Sequence, residues 1–241
     1  MIREQVYGRR AVREALRGRR AVLELWVTER ALRSEQWLRE VSGLRVQVKS
    51  ERALTAAAGT ADHQGVLAYC EPYPYADAFE LAAQPAPLLV CLDRVTDPHN
   101  LGAVCRSAEG AGATGVVLPA HGSARVTAAV CRASAGAVEH VSLAVVPNLA
   151  SFLTDVKGPD LWVWEASGSA PTTMWGADLG GGVALVLGAE GKGVRPLVRR
   201  ACDGAVSIPL RGVVESLNVS VAAAVLLYEA SRQRSAARAH A

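Results

Sequence analysis

Leu88-Leu89-Val90-Cys91-Leu92-Asp93-Arg94-Val95-Thr96-Asp97-Pro98-His99-Asn100-Leu101-Gly102-Ala103-Val104-Cys105-Arg106 is the stretch on which the fold class turns. Its first five residues are apolar without alternation, the pattern of a strand covered on both faces. A polar corner follows, and then a helical stretch. Asn100 stands where the cap of that helix belongs, and Gly102 leaves room for another backbone or a ligand. Arg106 falls about a turn and a half into the helix, beside Ala103 and Val104. An ordinary surface arginine would look the same. Next to a strand end of an α/β sheet, however, a guanidinium also suits an anion or a charged substrate.

Downstream the same rhythm repeats. Gly115–Leu118, Val141–Val145, Leu161–Trp164, Val183–Leu187 and Ala205–Ile208 are short apolar runs predicted, with Leu88–Leu92, to be buried strands. Helices are predicted between them, near 100–111, 124–136, 148–157, 194–202 and 217–234. This alternation predicts an α/β domain with a mostly parallel, doubly wound sheet. Such sheets bind ligands outside the carboxyl ends of their strands, so polar residues just after strands are the first candidates.

Upstream, Pro72, Pro74, Pro85 and Pro87 form the one proline cluster between two patterned regions. They mark residues 73–86 as a linker, with a short helical piece over Ala76–Ala83, between domains at 1–72 and 87–241. Helices are predicted over Gly8–Leu16, Ser34–Val41 (capped by Ser34) and Arg52–Ala58. Strands are predicted over Leu23–Val27, Arg45–Val48 and Gly65–Tyr69. A small α/β sandwich fits this front segment.

The net charge of +3 hides an asymmetry: residues 1–72 hold 13 Lys and Arg against 9 Asp and Glu, whereas the rest holds 13 against 14. Seven arginines fall in the first twenty residues. They suit a polyanionic partner, and would equally serve as a solvated helix face. They also leave no apolar run for a secretory signal, and Val219–Tyr228 is too short to span a membrane, so a cytoplasmic protein is expected. The five cysteines are scattered without a Cys-x-x-Cys pair. They are expected as reduced, buried, small side chains, with neither a disulfide framework nor a metal site. The five histidines show no ligand spacing and are expected in structural roles. Trp162, Trp164 and Trp175 are expected in the core or at a subunit contact.

Two further corners follow strands. Leu187-Gly188-Ala189-Glu190-Gly191-Lys192-Gly193 sets three glycines around one acid. It matches neither the Gly-x-x-x-x-Gly-Lys-Ser/Thr nor the Gly-x-Gly-x-x-Gly phosphate loop, and Glu190 would repel a phosphate. A loop wrapping a nucleoside with backbone groups fits better. Ile208-Pro209-Leu210-Arg211-Gly212 then leads to Ser216-Leu217-Asn218-Val219-Ser220 at the start of the last helix. Taken singly, Ser216 and Asn218 read as caps.

In combination, Asn100-x-Gly102-x-x-x-Arg106, Leu187-Gly-Ala-Glu-Gly-x-Gly193 and Ile208-Pro-Leu-x-Gly212 with Ser216-Leu-Asn-Val-Ser220 resemble the three motifs of the SpoU (TrmH) RNA 2'-O-methyltransferases. Val6-Tyr7-Gly8, Asp62-His-Gln-Gly65 and Ser134-Ala-Gly-Ala137 extend the resemblance over residues 2–234. It implies a C-terminal α/β-knot (SPOUT) methyltransferase domain preceded by an L30e-like domain that binds the RNA substrate. It implies a homodimer, and S-adenosyl-L-methionine (AdoMet) as methyl donor with no metal. Gly188, Gly191, Ile208, Leu210, Leu217 and Asn218 match cofactor-binding positions; Arg106, Asn100, Glu190, Ser216 and Asn218 match catalytic or supporting ones.

A guanidinium in a protein keeps its proton, so Arg106 is expected to stabilise a developing alkoxide or to orient an RNA phosphate rather than to act as a literal base. The front domain is most similar to that of enzymes acting on a guanosine of 23S ribosomal RNA. A thiopeptide-resistance type acting on an rRNA adenosine, or a tRNA guanosine enzyme, is the nearest alternative. A non-catalytic RNA-binding or ribosome-assembly protein is the alternative of another class. RNA, rather than DNA or a membrane, is the expected partner.

Overall fold

The computed structural model describes residues 2–189 and 191–239. They form two compact units, Met1–Pro74 with Arg125–His140, and Tyr75–Ala124 with Val141–Ala241.

The first unit is built on a four-stranded sheet of β1 (Glu4–Tyr7), β2 (Val22–Val27), β3 (Arg45–Val48) and β4 (Val66–Cys70) in the order β1-β4-β2-β3. β4 runs antiparallel to both its neighbours, and β2 and β3 are parallel. The helices are α1 (Arg9–Ala15), α2 (Glu29–Ser34), α3 (Gln36–Arg39) and α4 (Glu51–Ala58). Thr28 and Ser50 set the starts of α2 and α4: each hydroxyl accepts from the amide three residues on, Ala31 and Ala53, at 3.2 Å. Ser34, expected to cap a helix over 34–41, instead ends α2 and donates to the Ala31 carbonyl. β1 is not evident in the sequence, because four residues with Glu4 and Gln5 at a sheet edge carry no strong apolar pattern. His63 is buried, bonded to Thr55 Oγ1 and accepting from the Gly65 amide through Nδ1, so its role is structural.

The second unit opens with α5 (Ala78–Ala82), β5 (Leu88–Asp93), α6 (Pro98–Gly110) and β6 (Gly115–Pro119). The chain then supplies α7 (Ala128–Ala133) and a 3₁₀ turn at Ala137–Glu139 to the first unit. It resumes with β7 (Leu143–Val146), α8 (Leu149–Val156), β8 (Trp162–Ala166), β9 (Thr172–Thr173), β10 (Val183–Gly188), α9 (Pro196–Ala201), β11 (Gly204–Ser207) and α10 (Val219–Ala239). The seven strands lie in the order β7-β6-β5-β10-β8-β11-β9, and every pairing is parallel. The parallel α/β sheet expected from the sequence is thus present, with the two-residue β9 added at its edge.

Leu89, Cys91, Val117, Val163 and Val186 of the sheet pack with Phe152 and Leu153 of α8 and Val198 of α9. α6 and α10 pack on each other, and α10 reaches β10. Full burial of each such aliphatic side chain contributes about 1.5–3 kcal/mol, which is why uninterrupted apolar runs mark these strands. Asp97, not Asn100, caps α6: its Oδ1 accepts from the His99 amide, and Pro98 occupies the first helical position, where a missing N–H costs nothing. The helix expected over 124–136 is limited to α7 by the Thr127 cap and by Ala135 and Gly136, both at positive φ. Trp162 and Trp175 are more than half exposed, so neither belongs to the core. Among the described residues no helix is long and apolar enough to cross a membrane, and no His, Cys, Asp and Glu cluster could hold a metal.

Candidate active site

β10 ends on Gly188, in register with Asp93 at the end of β5. A Cβ on Gly188 would stand 2.0 Å from the carbonyl carbon of Gly193, so only glycine lets the chain fold back at this point. The return is closed by a bridge between Ala189 and Gly193, whose amide donates to the Ala189 carbonyl at 2.9 Å. Gly191 and Gly193 hold φ of +73° and +63°, a left-handed conformation costing other residues about 1–2 kcal/mol.

This loop forms one wall of a cavity of about 280 Å³ at the carboxyl ends of β8, β10 and β11. Leu187, Val206, Ile208, Leu210, Leu217 and Val219 make it apolar, while Ala166–Gly168 and Glu215–Ser216 give it polar edges. Apolar side chains facing glycine backbone suit a flat heteroaromatic group held by main-chain hydrogen bonds. The carboxylate of Glu215 suits a positive charge. A larger depression of about 1020 Å³ lies around Ala82–Pro87, Gly158–Trp164 and Gly181–Val183, at the opposite ends of the strands. It is lined mainly by Ala, Pro, Gly and the two indoles and gathers none of the motif residues.

The structure therefore brings Gly188, Gly191, Ile208, Leu210, Ser216 and Leu217 to one cavity. Asn218 lies at its edge as the cap of α10, its Oδ1 accepting from the Ser220 amide at 2.8 Å and from the Ser220 hydroxyl at 2.6 Å. Its Nδ2 donates to Asn100 Oδ1 at 2.9 Å. That bond joins the starts of α6 and α10. Ten residues on, Gly110 lies beside Tyr228, so the two helices run in the same direction. Arg106, on α6, is exposed and has no hydrogen bond or ion pair among the described residues. Asn100 and Arg106 do not line the cavity. Glu190 lies outside the described residues.

Sequence reasoning missed three contributors. Ser167 and Gly168 follow a strand, a position that could have flagged them. Glu215 was passed over beside Ser216. The third is a pair: Asp93 is fully buried and receives the Arg195 backbone amide on Oδ2 at 2.8 Å, with Arg195 Nε and Nη2 on Oδ1, both at 2.7 Å.

Comparison with known proteins agrees with this geometry. Residues 87–228 match the family model described as the SpoU rRNA Methylase family, and residues 5–76 match that of RNA 2'-O ribose methyltransferase substrate binding. The 23S rRNA (guanosine-2'-O-)-methyltransferase RlmB of Xanthomonas campestris is 45% identical over 197 residues, 80% of this chain and 79% of that one. The enzyme of the same name from Vibrio vulnificus is 40% identical over 203 residues, 83% of this chain and 82% of that one. Among solved structures, the SpoU methyltransferase AviRb from Streptomyces viridochromogenes, in complex with AdoMet, superposes with a TM-score of 0.84 at 26% identity, covering 97% of this chain and 91% of that one. The A. aeolicus TrmH/SpoU tRNA modifying enzyme superposes with a TM-score of 0.57 at 27% identity, over 64% of this chain and 78% of that one.

Proposed function

Because the chain belongs to the SpoU rRNA methylase family, we propose that it transfers a methyl group from AdoMet to the 2'-oxygen of a guanosine ribose in 23S ribosomal RNA. The observation behind this reading is the Asn218–Asn100 bond, which ties the cavity's edge to the helix that bears Arg106. The cavity fits AdoMet in kind: apolar walls for adenine, loop backbone for its polar edge, and Glu215 for positive charge. Bound there, AdoMet supplies a methyl already activated on a sulfonium.

This chain must then position a ribose hydroxyl and favour loss of its proton. We assign Gly188, Gly191, Ile208, Leu210 and Leu217 to cofactor binding, with Asn218 at the junction, and Ser216 and Glu190 to support of the site. Arg106 is assigned to the RNA side, stabilising the developing alkoxide or orienting a phosphate. Its exposure, with no partner among the described residues, is what a residue waiting for a polyanion needs.

Ribosomal RNA is favoured over tRNA by extent: the relatives named for 23S rRNA match about four fifths of the chain, whereas the tRNA-modifying neighbour covers 64%. The front unit, on which Arg3, Arg10, Arg13, Arg17 and Arg19 are exposed, would dock the RNA. A knot is part of this reading. After β11 the chain passes the Gly188–Gly193 loop on its way to α10, the path along which threading would occur.

We also assign a homodimer. Val213, Val214, Val221 and Tyr228 are exposed apolar side chains on the approach to α10 and along it, and self-association would cover them. Light scattering should give twice the chain mass at working concentration. A cytoplasmic location fits an rRNA substrate.

The test is methyl transfer from labelled AdoMet to ribosomal RNA lacking ribose methylation, with Arg106→Ala alongside and the product position mapped. Incorporation at one 2'-oxygen by wild type only is expected. Incorporation into tRNA alone would overturn the rRNA assignment, and failure to bind AdoMet would overturn the enzyme assignment.

A further inference from the structure

The Gly188–Val194 loop that walls the cavity is tied at both ends to one residue, Asp93: by strand register at its start and by the carboxylate at its end. At its start, Gly188 is paired in register with Asp93 across the β5–β10 ladder. At its end, Arg195 is bonded to the same Asp93 three times, through backbone amide, Nε and Nη2. Asp93 has no exposed surface, and so its two oxygens have been taken from water and given wholly to Arg195. A charge is buried in this way only where its partner compensates closely, and here the partner is local to a loop rather than to the core. Between the anchors Gly191 and Gly193 take left-handed backbone, and among the described residues the loop's internal bonds are two, from the Lys192 and Gly193 amides to the Ala189 carbonyl. Without the far anchor such a glycine-rich segment would sample many conformations.

We infer that Asp93 and Arg195 form a latch that preorganises the Gly188–Val194 loop for the cofactor. They are positioning residues and determinants of AdoMet affinity rather than catalytic residues, and neither lines the cavity. The inference rests on the reading of that cavity as the AdoMet site. A loop already ordered before binding spends none of the ligand's interaction energy on its own ordering, so the latch acts on cofactor binding and leaves RNA binding untouched. Conversely, cofactor that packs against the loop tightens it, and the latch should become more resistant to exchange on binding.

The test compares wild type with Arg195→Ala, Arg195→Lys and Asp93→Asn. Arg195 keeps 37% of its side chain exposed, so its variants leave no cavity in the core. Arg195→Ala leaves the buried Asp93 carboxylate with the Arg195 amide alone, so folding of each variant is followed by melting. Arg195→Lys keeps a cation, while Asp93→Asn removes the charge. AdoMet binding is measured by calorimetry without RNA, RNA binding by filter retention without AdoMet, and kcat and KM for each substrate in the full reaction. The latch predicts that Arg195→Ala raises the Kd and KM for AdoMet by roughly 10-fold or more, the equivalent of one lost charge-assisted hydrogen bond. RNA affinity and kcat at saturating AdoMet should stay within about twofold, well under the ~1.4 kcal/mol of a tenfold change. Arg195→Lys should recover part of the loss. Asp93→Asn, which keeps the shape but loses the charge, should fall with Arg195→Ala.

An unchanged AdoMet KM in a folded Arg195→Ala protein would overturn the latch, as would equal losses toward AdoMet and RNA. A lower melting temperature with no change in AdoMet affinity would reduce the pair to a structural role. Wild type that binds no AdoMet would instead refute the assignment of the cavity, a result distinct from failure of the latch.

Discussion

Arg20 and Glu139 lie 119 positions apart, and Arg20 Nη2 meets Glu139 Oε1 at 2.6 Å with both side chains almost wholly buried. Arg20 Nε donates to the other oxygen of the same carboxylate, Nη1 to Glu4, and Nη2 also lies 3.1 Å from Cys131 Sγ. Glu139 follows β6 in sequence, within the region matched to the methylase model, yet it completes the core of the first unit.

The expected consequence is that Glu139→Ala destabilises the first unit by about 3–5 kcal/mol, the cost of leaving a buried guanidinium without its main partner. Chemical denaturation of the full chain would measure it. Replacing both partners together, Arg20→Met with Glu139→Leu, should recover most of the loss. If the single change costs under about 1 kcal/mol, the pair is worth no more than a surface ion pair.

The helix-starting bond between Asn218 and Asn100 predicts a second pattern. Asn218→Ala removes both the cap of α10 and the link to α6, and so should lower stability by about 1 kcal/mol and also slow methyl transfer. Asn100→Ala removes the link and leaves the cap of α10 in place, and should slow transfer at a smaller cost in stability than Asn218→Ala. The double variant should be no slower than the slower single one, because both singles break the same bond. Additive losses in rate would mean that the two asparagines act separately.

How much of this was readable in advance depended on range. β5, β6 and β10 are fully buried apolar runs and announced themselves; so did the three corners, because loops at strand ends keep chemistry close in sequence. Asp97 caps α6 three residues before Asn100 because the two are equally good cap residues, and it is the geometry of Asn218 that claims Asn100 for another bond. The transfer of Arg125–His140 to the first unit could not be read at all. It depends on Arg20 meeting Glu139, and no local pattern encodes a partner 119 residues away. The Asp93–Arg195 pair was hidden for the same reason, with Asp93 passing for one more polar residue after a strand.

The thiols offer a check on the burial of both units. Cys70 and Cys131 are buried and Cys202 half-buried, and loss of solvation pushes all three thiols up to about 12; Cys91 is raised further by the same cause. Near pH 8 the thiolate is then scarce, so native protein should resist alkylation at Cys70, Cys91 and Cys131 and react after denaturant is added. Mass-spectrometric mapping would locate the labels. Rapid native labelling at Cys131 would mean that the Arg20 cluster opens to solvent.

Arg106 separates two chemistries. If its guanidinium took the ribose proton, Arg106→Lys would retain activity that climbs with pH as the lysine deprotonates. The expectation is the opposite: kcat falls by roughly 100-fold or more in both Arg106→Lys and Arg106→Ala, and the residual rate does not rise with pH. A rising profile in the lysine variant would reinstate the base.

The sharpest test of the cavity uses two glycines of one loop. In Gly188→Ala the new methyl would fall 2.0 Å from the Gly193 carbonyl carbon and 2.3 Å from the Val194 nitrogen, both backbone, so the loop must move as a whole. Gly191→Ala meets no atom within 4 Å, and its cost is confined to the left-handed φ of +73°, about 1–2 kcal/mol. Gly188→Ala should therefore lose AdoMet binding in calorimetry while the first unit stays folded. Gly191→Ala should bind, weakened only by the part of its strain that binding must overcome. The order matters more than either value, since both positions sit on the same wall. Should Gly188→Ala bind AdoMet as wild type does, the fold-back of the chain after β10 would not be what shapes the cofactor site.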